Sequence, residues 1–123
     1  MKIGLISCAK KKKAFSCQAQ ELYSESSFFN YVLDYCQKHY DKIYILSAKH
    51  GLIELNQKIK PYDLTLKTMK KDGRKKWAEK VINQLKKKIN REDVIYFHAG
   101  KYYREYLIPL LNNQIKIPLK NWE

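Results

Sequence analysis

An α/β fold, with a mostly parallel four-stranded sheet and helices on both of its faces, is what the 123-residue sequence predicts. Three observations lead there. Apolar runs of strand length recur at 2–8, 42–47 and 93–98, stretches with helical periodicity separate them, and each run stops at small or turn-forming residues. Strands that alternate with helices pair in parallel, because each helix returns the chain to the end of the sheet it left.

The elements follow in order. KIGLISC, residues 2–8, reads as a buried strand. Residues 9–24 are polar and irregular and include four consecutive lysines, Lys10 to Lys13. From Glu25 to about Tyr40 the pattern is helical, with Phe29, Val32, Leu33 and Cys36 on one face and Ser24, Ser26 and Ser27 as cap candidates. KIYILS, 42–47, is a second buried strand, and Ala48 to Gly51 end it. Residues 52–66 read as a loop punctuated by Pro61, and the unassigned 52–73 stretch has the length of a functional loop. Residues 74–90 form an amphipathic helix whose stripe is Trp77, Val81, Leu85 and Ile89. DVIYFH, 93–98, is the third buried strand, and a helix is expected over 101–112, kinked or shortened by Pro109. Alternation of Ile115, Ile117 and Leu119 predicts a half-buried edge strand over 114–119. The resulting β-α-β-α-β-α-β order implies one domain, 1–123, in three layers of the Rossmann-like or flavodoxin-like kind.

Composition limits the partners. Lys and Arg number 25 against 12 Asp and Glu, a formal net charge of +13. Such an excess tracks an anionic partner, with a nucleic acid or nucleotide foremost, or else lysine-rich genomic usage. No stretch approaches the roughly 20 apolar residues of a membrane span, so no membrane partner is expected. Cys8, Cys17 and Cys36 are odd in number and lack CxxC spacing. Met1 to Cys8 is too short an apolar run for a secretion signal, and lysines follow it. Reduced thiols in a cytoplasm are the expectation. His39, His50 and His98 show no ligand spacing with the cysteines, so neither a metal nor a cofactor is called for.

In an open parallel sheet, ligands bind at the carboxyl ends of the strands. That rule selects Ser7-Cys8-Ala9-Lys10-Lys11-Lys12, Ser47-Ala48-Lys49-His50-Gly51 and His98-Ala99-Gly100-Lys101-Tyr102-Tyr103. Each combines a small residue, a lysine and a further polar group. Gly51 and Gly100 permit close approach of a ligand to the backbone. Lys10, Lys12, Lys49 and Lys101 supply positive charge for phosphates, and Tyr62 and Tyr102 offer rings on which a base stacks. His50, beside Lys49, is kept neutral by the neighbouring cation, as a proton acceptor needs, or else simply bonds the following loop. His98, ending an apolar strand, reads as a core histidine. Cys8 is a candidate nucleophile, with Lys10 and Lys12 nearby to favour its thiolate, or a buried strand-end residue. Asp63 is a candidate to orient His50 or Lys49 or accept a proton, or a turn residue. The candidate catalytic residues are therefore Cys8, Lys12, Lys49, His50 and Asp63. The candidate ligand-binding residues are Ser7, Lys10, Ser47, Gly51, Tyr62, Gly100, Lys101 and Tyr102.

Five ordered blocks, ISCAKKK, LYSESSFF, ILSAKHGL, PYDLTL and FHAGKYYREYLIPLL, resemble a family of small uncharacterised bacterial, archaeal and phage domains that carry the SAKHGL signature. The resemblance extends distantly to the YaaA peroxide-stress group and to the lysine-bearing domain of archaeosine synthases. It implies DNA binding in the one case and a modified tRNA base in the other. Cys8 and Lys12 have the spacing of a cysteine and a lysine in the archaeosine-synthase PC-x-x-x-KPY motif, although Lys13 and Ala14 stand where that motif has Pro and Tyr. Three function classes follow: an enzyme of nucleobase modification or N-glycosidic bond chemistry, a non-catalytic nucleic-acid-binding module, and an assembly subunit of a phage-related system.

Overall fold

The structure, a computed structural model, describes residues 1–118. The strands are β1 (Lys2–Ser7), β2 (Cys17–Gln18), β3 (Lys42–Ser47), β4 (Gly51–Glu54), β5 (Lys58–Ile59), β6 (Val94–His98) and β7 (Ile115–Lys116). The helices are α1 (Ala19–Leu22), α2 (Ser27–His39), α3 (Lys71–Lys86) and α4 (Lys101–Arg104). The main sheet is mixed and mostly parallel, in the order β4-β3-β1-β6-β7. β1 is the middle strand, paired in parallel with β3 from Ile3↔Lys42 to Ser7↔Leu46 and with β6 from Lys2↔Val94 to Ile6↔His98. No helix among the described residues is long and apolar enough to cross a membrane.

Side chains alternate between the two faces of the sheet as the pleat requires, and both faces are buried along the middle of β1 and β3. Ile3 and Leu5 of β1, Tyr44 and Leu46 of β3, and Ile95 and Phe97 of β6 pack in one cluster with Trp77, Val81 and Leu85 of α3. Ile6, Ile45 and Ile53 point the other way and pack with Phe29, Val32 and Cys36 of α2. Burial pushes the Cys36 thiol up to about 12, as suits a core cysteine. α2 begins where the Ser26 hydroxyl accepts from the Phe29 amide at 3.1 Å. Ile89, placed on the α3 stripe by periodicity, is packed just beyond the end of that helix.

The structure corrects several expectations. The main sheet has five strands, not four: β4, read as the start of a loop, pairs antiparallel with β3 from Tyr44↔Glu54 to Ser47↔Gly51. A tight turn at 48–50 and Gly51, at φ +75°, reverse the chain there. β2 and β5 form a separate two-stranded sheet, Cys17↔Ile59 and Gln18↔Lys58, so Cys17 is a buried strand residue within the stretch expected to be irregular. Two-residue strands and the four-residue α1 have too little length to show a period. α4 stops at Arg104, and a 3₁₀ turn at Ile108–Leu110 follows with Pro109 near its start. Pro109 lacks an N–H, so the helix expected over 101–112 breaks up. α3 starts at Lys71 and ends at Lys86, earlier at both ends than 74–90. β7 keeps only Ile115 and Lys116 of the expected edge strand, and Leu119 lies outside the described residues.

Candidate functional site

The strand order positions the site. From β1 the chain crosses through α2 to β3 on one side, and through α3 it later reaches β6 on the other. The connections therefore diverge at the carboxyl end of β1, and the crevice they leave is where open α/β sheets take ligands. A cavity of about 540 Å³ lies there.

Of the residues singled out by sequence, Ser7 at the end of β1, Cys8, Lys10 and Lys12 just beyond it, Gly100, Lys101 and Tyr102 after β6, and Asp63 from the intervening loop line this cavity. Lys67 also lines it, so four lysines face one carboxylate, Asp63, in the described lining. Ser26 and Phe28, at the start of α2, form another wall. That places the positive end of the α2 dipole beside the lysines. The Cys8 backbone N–H donates to the Leu46 carbonyl at 2.9 Å, which continues the β1–β3 ladder by one residue. Its thiol lies 3.3 Å from the Tyr103 hydroxyl.

The segment after β3 is elsewhere. Ser47, Lys49, His50, Gly51 and Tyr62 are absent from the cavity lining. α3 holds their turn from behind. The Trp77 indole N–H donates to the Ser47 carbonyl at 2.8 Å, Lys80 Nζ to the Lys49 carbonyl at 3.2 Å, and Gln84 Nε2 to the His50 carbonyl at 3.2 Å. Gln84 Oε1 accepts from the Leu52 amide at 2.8 Å, and a Cβ at position 51 would strike the same side chain. Gly51 therefore meets a packing and backbone demand. Asp63 lines the cavity and His50 does not, and no hydrogen bond joins the two.

Tyr62 separates the two regions. Lys12 Nζ lies 4.6 Å from its ring centroid, and the His50 ring meets it edge-on at 5.5 Å between centroids. The Tyr62 hydroxyl accepts from Ser47 Oγ at 2.8 Å and lies 2.6 Å from the Tyr23 hydroxyl. Ser47 Oγ in turn accepts from the His50 amide at 3.1 Å. Burial holds the phenols of Tyr23, Tyr62 and Tyr103 well above the usual tyrosine range, and Cys8 nearby adds to the effect in each. They stay protonated. Burial, then the charges of Lys49 and Lys80, lower the His50 imidazole. Its Nε2 is buried without a hydrogen-bond partner among the described residues. His98 is also buried, with Nε2 at 2.6 Å from the Tyr40 hydroxyl, and burial pulls it down to about 4.

Sequence reading did not single out Ser26, Phe28, Thr65, Lys67 or Thr68 as lining residues, or Tyr23 as a hydroxyl partner. The unassigned length of 52–73 was a signal for Thr65 to Thr68. The position of α2 was not readable before its N-terminus was seen to abut the β1 end. No group of three or more His, Cys, Asp or Glu suited to a metal occurs among the described residues.

The family of unknown function DUF6884 matches residues 3–123. The chain belongs to this family. No curated protein and no solved structure matches it. The match to the DUF6884 family takes in both strand-end segments of the cavity and the β3 turn as one unit.

Proposed function

We propose that the domain binds a nucleotide unit in the β1–β6 cavity and acts on its base or its N-glycosidic bond. One observation carries the reading: among the described residues, four lysines and the start of α2 surround a single carboxylate in a crevice at the strand crossover. That charge balance suits a phosphate. The rings of Phe28 and Tyr102 in the same lining suit a base. The sheet, with α2 and α3 on opposite faces, is read as a three-layer, Rossmann-like arrangement, in which this crevice is the ordinary ligand position. The resemblance of the SAKHGL segment and of the Cys8–Lys12 spacing to nucleic-acid proteins points the same way.

In the catalytic form of this reading, Lys10, Lys12 and Lys101 hold the anion, Cys8 is the nucleophile, and Asp63 moves a proton. His50 and Lys49, set behind Tyr62, support the wall and do not touch substrate. A second reading, a non-catalytic nucleotide-binding module, is favoured by that same withdrawal of His50 and Lys49 from the lining.

Calorimetry of the purified chain with uridine monophosphate, uridine and inorganic phosphate tests the binding. The monophosphate should bind tighter than either fragment. Lys12→Ala should weaken it about tenfold to hundredfold, the range for one charge-assisted contact. Equal affinity for uridine and its monophosphate would refute a phosphate site. Chromatography of incubated nucleotides then separates the two forms, since only the enzyme yields a new base or nucleoside, and Cys8→Ser should abolish that yield.

A further inference from the structure

We infer that the nucleotide in the cavity belongs to a single-stranded polynucleotide, whose neighbouring bases lie on an aromatic strip beside α2. This rests on the nucleotide reading of the cavity. Phe28 lines the cavity and is 56% exposed, Tyr31 is 71% exposed and Tyr35 is 40% exposed. Spacings of three and four residues place them along one flank of α2, next to the buried face of Phe29, Val32 and Cys36. Three large exposed rings in a row are unusual on the helix of a soluble domain.

The strip continues onto the sheet. Tyr35 lies 6.1 Å from Tyr40, and Tyr40 stacks on Tyr96 at 4.6 Å between centroids. Tyr40 can lie flat there because Gly4 has no side chain; a Cβ at that position would come within 2.6 Å of its ring. Tyr96 pairs with Gly4 on one side and Lys116 on the other, so the three share a sheet face. The cluster on that face draws on β1, β3 and β4, and among the described residues on nothing from β6 or β7. His98 of β6 lies on the same face and is buried against Tyr35 of α2 and Tyr40, while Tyr96 beyond it stays half-buried.

Two features choose the occupant. The strip is continuous with the cavity through Phe28, and the chain has a net charge of +13. Lys2 and Lys116 lie on the sheet part of the strip, while Lys38 on α2 pairs with Asp34 at 3.0 Å. The step of seven residues from Phe28 to Tyr35 spans about 10 Å of helix, more than the roughly 3.4 Å between stacked bases. Rings stack on any base and cannot reach bases paired inside a duplex, so a single strand is the fit.

Fluorescence anisotropy with labelled hexathymidylate, hexauridylate and a duplex tests this, alongside calorimetry with uridine monophosphate. A hexamer should bind at least tenfold tighter than the monophosphate and tighter than the duplex, and the preferred hexamer tells DNA from RNA. Tyr31→Ala and Tyr35→Ala should each weaken hexamer binding roughly fivefold to hundredfold, while monophosphate affinity stays unchanged and Tyr35→Phe restores the hexamer. Hexamer affinity equal to that of the monophosphate or the duplex, or indifferent to both alanine changes, overturns the strip. Hexamer binding that depends on Tyr31 without any monophosphate binding upholds the strip and refutes the cavity reading. Loss of both refutes both.

Discussion

Ser47 is the residue through which the β3 turn, the tyrosine wall and α3 meet, and Ser47→Ala tests that arrangement. The side chain is fully buried. Its hydroxyl accepts from the His50 amide at 3.1 Å and donates to the Tyr62 hydroxyl at 2.8 Å. The bond from Trp77 goes to the Ser47 carbonyl and survives the change. Removing the hydroxyl thus costs one ordinary hydrogen bond, about 1 kcal/mol, and leaves the His50 amide without its acceptor, about 1–2 kcal/mol more in a partly buried turn. The expected loss is about 2–3 kcal/mol, or roughly 8–12 °C in Tm for a domain of this length. Urea unfolding of the parent, Ser47→Ala, Tyr62→Phe and the double variant measures it. Tyr62→Phe removes the same Ser47–Tyr62 bond, so the double variant should be less destabilised than the sum of the singles by about 1 kcal/mol. A Ser47→Ala protein within 0.5 kcal/mol of the parent, or strict additivity, would refute the claim that these hydroxyls brace the wall.

Two further outcomes are expected. His98 titrates at about 4 in the folded chain against 6.5 as its ordinary value, so between those pH values the unfolded chain binds a proton that the folded chain refuses. Stability should fall as pH drops from 6.5 to 4, by up to about 3 kcal/mol; His98→Gln should flatten this part of the urea-midpoint profile, and an unchanged slope would exclude His98 as its source. Iodoacetamide at neutral pH should label Cys8, half-buried in the cavity, about tenfold faster or more than the buried Cys36, whose thiol burial raises to about 12. Uridine monophosphate should slow the labelling of Cys8 alone, as read by peptide mass spectrometry, and no protection would separate the cavity from the nucleotide.

Much of the fold was legible because the signals are local. The apolar runs around Ile3–Ile6, Ile43–Leu46 and Ile95–Phe97 are strands, and the stripe Trp77–Val81–Leu85 is the buried face of a helix. What escaped was short or paired at a distance: β4 exists because Ile53 and Leu52 sit opposite Ile45 and Leu46, and a four-residue run carries no period of its own. The candidate site was half legible. The strand-end rule found Cys8, Lys12, Gly100 and Lys101, but applied equally to Lys49 and His50, which the turn of the β3–β4 hairpin carries away from the cavity.

By itself the sequence determined roughly where the three long strands and the helices α2 and α3 lie, how basic the chain is, and which residues stand at the ends of those strands, since periodicity, charge and turn chemistry belong to neighbours along the chain. Only the tertiary structure decided which strand ends share a cavity. That depends on β1 lying between β3 and β6, and on Trp77, Lys80 and Gln84 fastening the β3 turn to α3. Such pairings join residues roughly 30 to 90 positions apart. Their selection comes from burying both faces of the sheet at once, a demand that no single segment expresses.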